Sequence, residues 1–268
     1  MASVNYKGED IYALPESRHP DLQSVFFMSV HKSGSTMMNN LVKEICRILE
    51  YDFVDIQSFF FNNGVPDTDI PENTGEIFKP KGYVYSGFRY LPHQYPIACL
   101  TDCPVIVLVR DPRDAVVSQY FSLSQSHPMP GEGIDSRLRE QMLAARERAL
   151  NTDIDEFCIQ NIGGFAKKME AYQELAKHHP NMRIFLYEEI IYMKKKWILN
   201  ILNFLGWELD ASDATKLATR FNVIPDQERE DKHIRQVHPQ NYLKKLKPAA
   251  ITQINKTYRR VLSRFRYL

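Results

Sequence analysis

The residues best equipped for chemistry lie in one short stretch, His31-Lys32-Ser33-Gly34-Ser35-Thr36-Met37, directly after the apolar run Val25-Phe26-Phe27-Met28-Ser29-Val30. The run has strand length and β-rich composition, Gly34 permits a tight turn, and amphipathic helical spacing starts near Ser35. A strand, a polar loop and a helix N-terminus follow one another. Such a terminus presents unpaired backbone N–H groups at the positive end of the helix dipole. Lys32 adds a point charge, and Ser33, Ser35 and Thr36 add hydroxyls. The combination suits a phosphate group. It is not a Walker A loop, where lysine follows the last glycine of Gly-x-x-x-x-Gly-Lys-[Ser/Thr]; here Lys32 precedes Gly34, and no glycine lies upstream within the loop.

A second basic residue stands at the end of a second strand. Pro104 introduces Val105-Ile106-Val107-Leu108-Val109, an unbroken aliphatic run of the kind that forms a central parallel strand. It leads into Arg110-Asp111-Pro112-Arg113-Asp114-Ala115-Val116-Val117-Ser118, where Pro112 suits the first turn of a helix. Arg113 is expected to pair with Asp111 or Asp114. Ligands of open α/β sheets bind at the carboxyl ends of strands. Lys32 and Arg110 therefore point at one crevice.

The elements that must position these residues read as one α/β domain over residues 1–268, with a central, mostly parallel sheet flanked by helices and a lid of helix and loop over the site. Residues 1–20 form an extended lead-in. Helical spacing runs over Met37–Leu49, Arg137–Arg148, Lys196–Leu205, Ala211–Arg220 and Pro248–Phe265, and over Phe157–His178 with a break near Gly163-Gly164. Strands are expected at Gly82–Phe88 and Met182–Tyr187. Between Tyr51 and Pro80 the chain reads as a long, partly irregular segment with an aromatic knot at Phe59, Phe60 and Phe61, and this gives one wall of an acceptor pocket.

Thirty-four basic residues face 33 acidic ones, so composition offers nothing for a polyanion, and no nucleic-acid partner is expected. Four cysteines, Cys46, Cys99, Cys103 and Cys158, are too sparse for a disulfide framework and fit a reducing, cytoplasmic setting. Cys99 and Cys103, with His93 nearby, lack the spacing of a metal site and read as buried thiols; no metal is expected. The N-terminus has no apolar h-region, and no apolar run approaches the ~18 residues of a membrane span, so no membrane partner is expected.

The two strand-to-helix phrases together resemble the sulfotransferases that use 3′-phosphoadenosine 5′-phosphosulfate (PAPS), whose product is adenosine 3′,5′-bisphosphate (PAP). Lys32-Ser33-Gly34-Ser35-Thr36 is similar to the family's 5′-phosphosulfate loop, and Arg110 with Ser118 has the spacing of its 3′-phosphate signature. Three weaker echoes follow in order: Leu186-Tyr187-Glu188-Glu189, then Thr219-Arg220-Phe221, which resembles the segment near the adenine, then His233-Ile234-Arg235, which resembles the basic segment wrapped over the 3′-phosphate. The resemblance implies a P-loop-like fold and a cofactor site of Lys32, Ser33, Gly34, Ser35, Thr36, Met37, Arg110, Ser118, Tyr187, Thr219, Phe221 and Arg235, with residues 226–247 covering the cofactor. It also implies sulfuryl transfer to a hydroxyl or amine of a small-molecule acceptor. Guanidinium groups bind a phosphate dianion bidentately, so Arg110 and Arg235 make a reasonable clamp.

The departures are as specific as the likeness. Met37 stands where the family often has tryptophan. Members that carry Lys-Thr-His-Leu-Pro use its histidine as a base, whereas this chain reads Gly87-Phe88-Arg89-Tyr90-Leu91-Pro92-His93. The catalytic pair expected from sequence is Lys32, on the leaving phosphate, and His93 as base, with His31, His127 or a carboxylate as alternatives. The aromatics Phe59, Phe60, Phe61, Tyr83, Tyr85, Phe88 and Tyr90 point to a small, partly apolar acceptor. Two other readings stay open: a P-loop-type small-molecule kinase using ATP, and a non-catalytic PAPS-binding protein.

Overall fold

The computed structural model describes residues 2–126, 128–131, 135–228 and 234–268. The strands are β1 (Ser3–Tyr6), β2 (Glu9–Ala13), β3 (Val25–Ser29), β4 (Asp52–Val54), β5 (Tyr83–Phe88), β6 (Val105–Val109) and β7 (Met182–Leu186). The helices are α1 (Ser35–Leu49), α2 (Ile56–Asn62), α3 (Pro112–Phe121), α4 (Arg137–Leu150), α5 (Ile154–His178), α6 (Tyr187–Ile190), α7 (Lys194–Leu205), α8 (Ala211–Arg220), α9 (Tyr242–Lys245), α10 (Pro248–Thr257) and α11 (Arg259–Arg264).

A five-stranded sheet in the order β4-β5-β3-β6-β7 forms the centre, and every pairing in it is parallel. The apolar runs of β3 and β6 explain the layering. Phe26 and Met28, with Val105, Val107 and Val109, enter one hydrophobic cluster; Val25 and Phe27, with Ile106 and Leu108, enter the other. The period of two thus sends alternate residues to opposite faces, and helices cover both. β3 and β6 pair from Phe26 with Val105 to Ser29 with Leu108, and the Val30 N–H donates to the Leu108 carbonyl at 3.0 Å. The two central strands therefore end at the same level, side by side.

Several segments differ from their sequence reading. The lead-in holds the antiparallel hairpin β1-β2, pinned to the lid where the Tyr6 hydroxyl donates to Asp135 at 2.9 Å. The stretch read as irregular contains β4 and α2, elements too short for periodicity to register. Helix α5 runs unbroken through Gly163 and Gly164, because Gly163 serves a close approach: a Cβ there would stand 2.9 Å from the Tyr258 hydroxyl. The final helix divides into α10 and α11 at that same Tyr258.

The end of β6 is fastened to the C-terminus by a buried ion pair. Arg113 pairs with Asp111 at 2.7 Å and also donates to Asn255 Oδ1 at 2.8 Å and to the Tyr267 carbonyl at 2.9 Å. Both charged side chains are almost inaccessible, at 4% and 7% exposure. Removing one partner of such a pair strands the other charge in the interior. The Asp111→Ala variant is therefore expected to lose about 3–5 kcal/mol of stability in denaturant unfolding; a loss below about 1 kcal/mol would show that the remaining bonds satisfy Arg113.

Candidate functional site

The loop after β3 turns sharply because two consecutive features demand it. Lys32 lies at φ 63°, and Gly34 lies at φ 85°, where a side chain is strained. A Cβ on Gly34 would also stand 3.2 Å from the Tyr187 ring, so backbone and aromatic face touch directly. Gly34 then opens α1 with no side-chain capping bond, which leaves the first-turn N–H groups facing the crevice without a capping side chain.

Arg110 continues from β6 beneath this loop. It is 4% exposed, its Nη1 donates to the Lys32 carbonyl at 3.4 Å, and its guanidinium lies 4.4 Å over the Tyr187 ring. Its single ion pair among the described residues, to Asp114, is long at 3.5 Å. The buried Arg110 Nε and Ser33 Oγ have no hydrogen-bond partner among the described residues. Buried polar groups are seldom left so, and an anion held at this point supplies what Arg110 lacks.

The C-terminal strap brings a third cation. The Asp114 carboxylate receives the N–H groups of Gln240 and Tyr242 at 2.7 and 2.9 Å, and the Tyr187 hydroxyl donates to the Val237 carbonyl at 2.9 Å. These bonds seat Arg235, whose guanidinium stacks 4.2 Å over Phe121, donates to Asn241 and pairs with Glu228. Ser118 lies one turn beyond Asp114 on the same face of α3 and is half-buried. Like charges hold one another down. Burial, and then Arg89, Arg110 and Arg235, push the Lys32 ammonium down to about 8. Burial and Arg110 likewise push Arg235 down, to about 10.

On the other side of Lys32 a cavity of about 350 Å³ opens. Its polar lining includes His31, Asp67, Arg89, Tyr90, Gln119 and Lys168, and its apolar lining is Phe61, Leu123, Leu138 and Met142. The Asp55 carboxylate braces this wall: it accepts from Asn39 of α1 at 2.7 Å, caps α2 through Ser58 N at 2.9 Å, and lies where a Cβ on Gly87 would stand. The Lys168 ammonium is 3.1 Å from His31 Nδ1, and the His31 ring stacks on Phe165 at 4.2 Å. The cavity raises the Asp67 carboxyl by desolvation, against the pull of Lys168, Tyr90 and Arg89.

The structure thus brings together Lys32, Ser33, Gly34, Arg110, Tyr187 and Arg235, with Ser118 beside them. Ser35 and Thr36 begin α1, Thr36 exposed. Met37 and Phe221 both pack half-buried against the same hydrophobic cluster, Phe221 just past the end of α8. Thr219 turns its hydroxyl back to the Thr215 carbonyl at 3.0 Å and is exposed, so it offers the crevice no polar group in this arrangement. His93 is exposed and outside the cavity lining, and Tyr90 occupies the wall. It stays near the wall, with its ring 6.2 Å from that of Tyr90 and its charge among those that pull on the Asp67 carboxyl. His127 and His233 lie outside the described residues. The aromatic knot also divides, since Phe61 alone of the three lines the cavity, Phe60 is core, and Phe59 packs on Tyr12 at 5.3 Å. Arg89, Asp67 and Lys168 were not singled out from sequence, and Tyr90 was named only as one of the pocket aromatics. Tyr90 alone had a signal, the Leu91-Pro92 that follows it as Leu-Pro follows the family's histidine.

Comparison with known proteins agrees with this geometry. Among solved structures, the mouse sulfotransferase SULT7A1 complexed with PAP superposes with a TM-score of 0.59 at 16% identity, over 90% of this chain and 84% of that one. Retinol dehydratase in a complex with retinol and PAP gives 0.52 at 18% identity, over 94% and 83%. At such identities the likeness establishes the fold. No curated protein sequence gives a significant match. The sulfotransferase domain family, however, matches residues 22–266, which take in both strand-to-helix turns, the cavity wall and the C-terminal strap. On that match, the chain belongs to the sulfotransferase domain family and is a sulfuryl-transferring enzyme.

Proposed function

We propose that this sulfotransferase takes its sulfuryl group from PAPS, held across the ends of β3 and β6, and passes it to a small acceptor in the cavity beside Lys32. One observation carries the reading: the Arg110 guanidinium lies 3.4 Å from the Lys32 carbonyl, so two cationic pockets from separate strands face each other within a single crevice. The unpartnered Ser33 Oγ and Arg110 Nε fit a ligand with two anionic groups. Structural neighbours crystallised with PAP support it further. PAPS supplies an activated sulfuryl group on a phosphosulfate anhydride.

The chain's residues then have separate tasks. Lys32 and the N–H groups at the start of α1 neutralise negative charge that grows on the leaving side, the largest contribution expected in a transfer of this type. Arg110, Ser118 and Arg235 hold the 3′-phosphate, Met37 and Phe221 offer apolar contact to the base, and Tyr187 supports the loop from below. Asp67 accepts the acceptor's proton. Its raised carboxyl is closer to neutral pH than an ordinary aspartate, whereas His31 already has Lys168 at Nδ1. The buried thiols Cys46, Cys99, Cys103 and Cys158 accord with a reducing, cytoplasmic compartment. Among the described residues, no helix is long and apolar enough to cross a membrane.

Thermal unfolding with added nucleotide tests the cofactor directly: PAP is expected to raise the Tm and ATP to leave it unchanged, since a ligand bound only to the native state stabilises it. Stabilisation by ATP alone would overturn the reading. In the Lys32→Ala variant, kcat is expected to fall about 10²–10³-fold, and PAP affinity by much less. The pH dependence has a definite sign. Unliganded Lys32 loses its proton near pH 8, below the 10.5 of an exposed lysine, and a bound anion favours the charged form. Wild-type PAP affinity is therefore level below about 8 and declines above it toward that of the variant, which shows no such decline. Asp67→Asn is expected to lower kcat by about 10²–10⁴ while PAP affinity holds. A comparable loss in His31→Ala and none in Asp67→Asn would move the base to His31.

A further inference from the structure

The acceptor cavity has a charge pattern that an apolar substrate would leave unanswered. Arg89 and Lys168 approach it from different elements, the chain after β5 and the middle of α5. Neither has a carboxylate within ion-pair distance among the described residues. Lys168 contacts the His31 ring nitrogen at 3.1 Å and lies 5.4 Å over the Tyr90 ring, and neither partner is a carboxylate. Among the described residues the sole carboxylate lining the cavity is Asp67, so two cations face one anion after Lys32 has been assigned to the leaving group. Burial lowers the Lys168 pKa; Asp67 opposes that shift, and Arg89 adds a smaller push in the same direction as burial.

We propose that the acceptor is itself an acid, a small molecule bearing a hydroxyl or amine together with one carboxylate, sulfate or phosphate group, which Arg89 and Lys168 bind. The claim rests on the PAPS-dependent reading of the site and adds its substrate class. A cavity of about 350 Å³ stands at the small end of ligand pockets. Phe61, Leu138 and Met142 form its apolar side, so the acid carries a short aromatic or aliphatic body. Arg89 is exposed and meets the acid at the mouth, where its planar fork can take a carboxylate or phosphate bidentately. Lys168, half-buried, neutralises it from the inner wall. Of the aromatics behind the expected partly apolar acceptor, Phe61 and Tyr90 line the cavity, whereas Phe60, Tyr83, Tyr85 and Phe88 are core residues.

Matched acceptors that differ only in charge provide the test: 4-hydroxyphenylacetate against 4-hydroxyphenylacetamide, and 4-hydroxybutyrate against its amide, each assayed with PAPS and titrated calorimetrically into the PAP-loaded protein. At least one acid is expected to exceed its amide by tenfold or more in kcat/KM and in affinity. In Arg89→Met and in Lys168→Met that ratio is expected to collapse toward one, a readout that a general loss of folding or of catalysis would not move. Amides equal to or better than their acids, a preference that survives both substitutions, or binding of neither acid would overturn the proposal. The PAP-induced rise in Tm, measured on the same samples, keeps the two claims apart. Its presence with no acid preference sinks only the acceptor class, and its absence sinks the cofactor reading.

Discussion

The site depends on cations kept close together against their mutual repulsion. Arg110 passes beneath the loop after β3 and touches the Lys32 backbone, with Arg235 brought down from the C-terminal strap. Nothing in the energetics of an empty crevice favours this. Burial of each charge costs free energy, and Arg110 lowers the proton affinity of both Lys32 and Arg235. The arrangement persists because the surroundings over-determine it: the Tyr187 ring under Arg110, the Phe121 ring under Arg235, and the carboxylate of Asp114 beside both. The cost is recovered when an anion arrives, which is how a binding site stores specificity for charge.

Asp114 joins these parts. One oxygen accepts the Tyr242 N–H while the other accepts the Gln240 N–H and lies near Arg110. The same carboxylate thus sets the height of the strap and the aim of the arginine. Tyr187 does the same work from the opposite side, with its ring against Gly34 and Arg110 and its hydroxyl on the Val237 carbonyl. Residues far apart in the chain, from the first loop, the middle and the C-terminal strap, become one rigid cradle through two side chains. Preorganisation of that kind matters more to group transfer than any single contact, because the transferred group needs position and a complementary field, not covalent help.

The acceptor side is built on different lines. Its wall comes from short and irregular segments, α2, the turn at Asp67–Asp69, the chain after β5 and the ends of α3 and α4. The Asp55 carboxylate couples this wall to α1, so the cavity is registered to the loop that holds Lys32. Within one sulfotransferase fold, the donor half can stay constant in its chemistry while loops retune the acceptor half. Tyr90, two residues past β5 where a histidine was sought, lines this cavity with Arg89 beside it and Lys168 of α5.

Much of the donor half was legible in the sequence, since each of its parts is local. A strand that reads as an apolar run, a glycine at a left-handed turn and a lysine or arginine at the strand's end are set by a handful of neighbouring residues: Val25 to Met38, and Val105 to Ser118. The parallel sheet followed from aliphatic runs that can be buried on both faces. What the sequence could not decide was which distant residues meet. Gly163 looked like a helix break until Tyr258 was seen against it, His93 proved exposed with Tyr90 on the cavity wall beside it, and Phe60 and Phe88 looked like pocket walls until they proved to be core. Composition near neutrality gave no hint of Arg89 and Lys168 sharing one cavity with Asp67, because local charge density arises only when α5 folds across the end of β5. Backbone conformation is written in neighbours and so can be read along the chain; electrostatics and cavity shape depend on separations through space, and those exist only once the chain has packed.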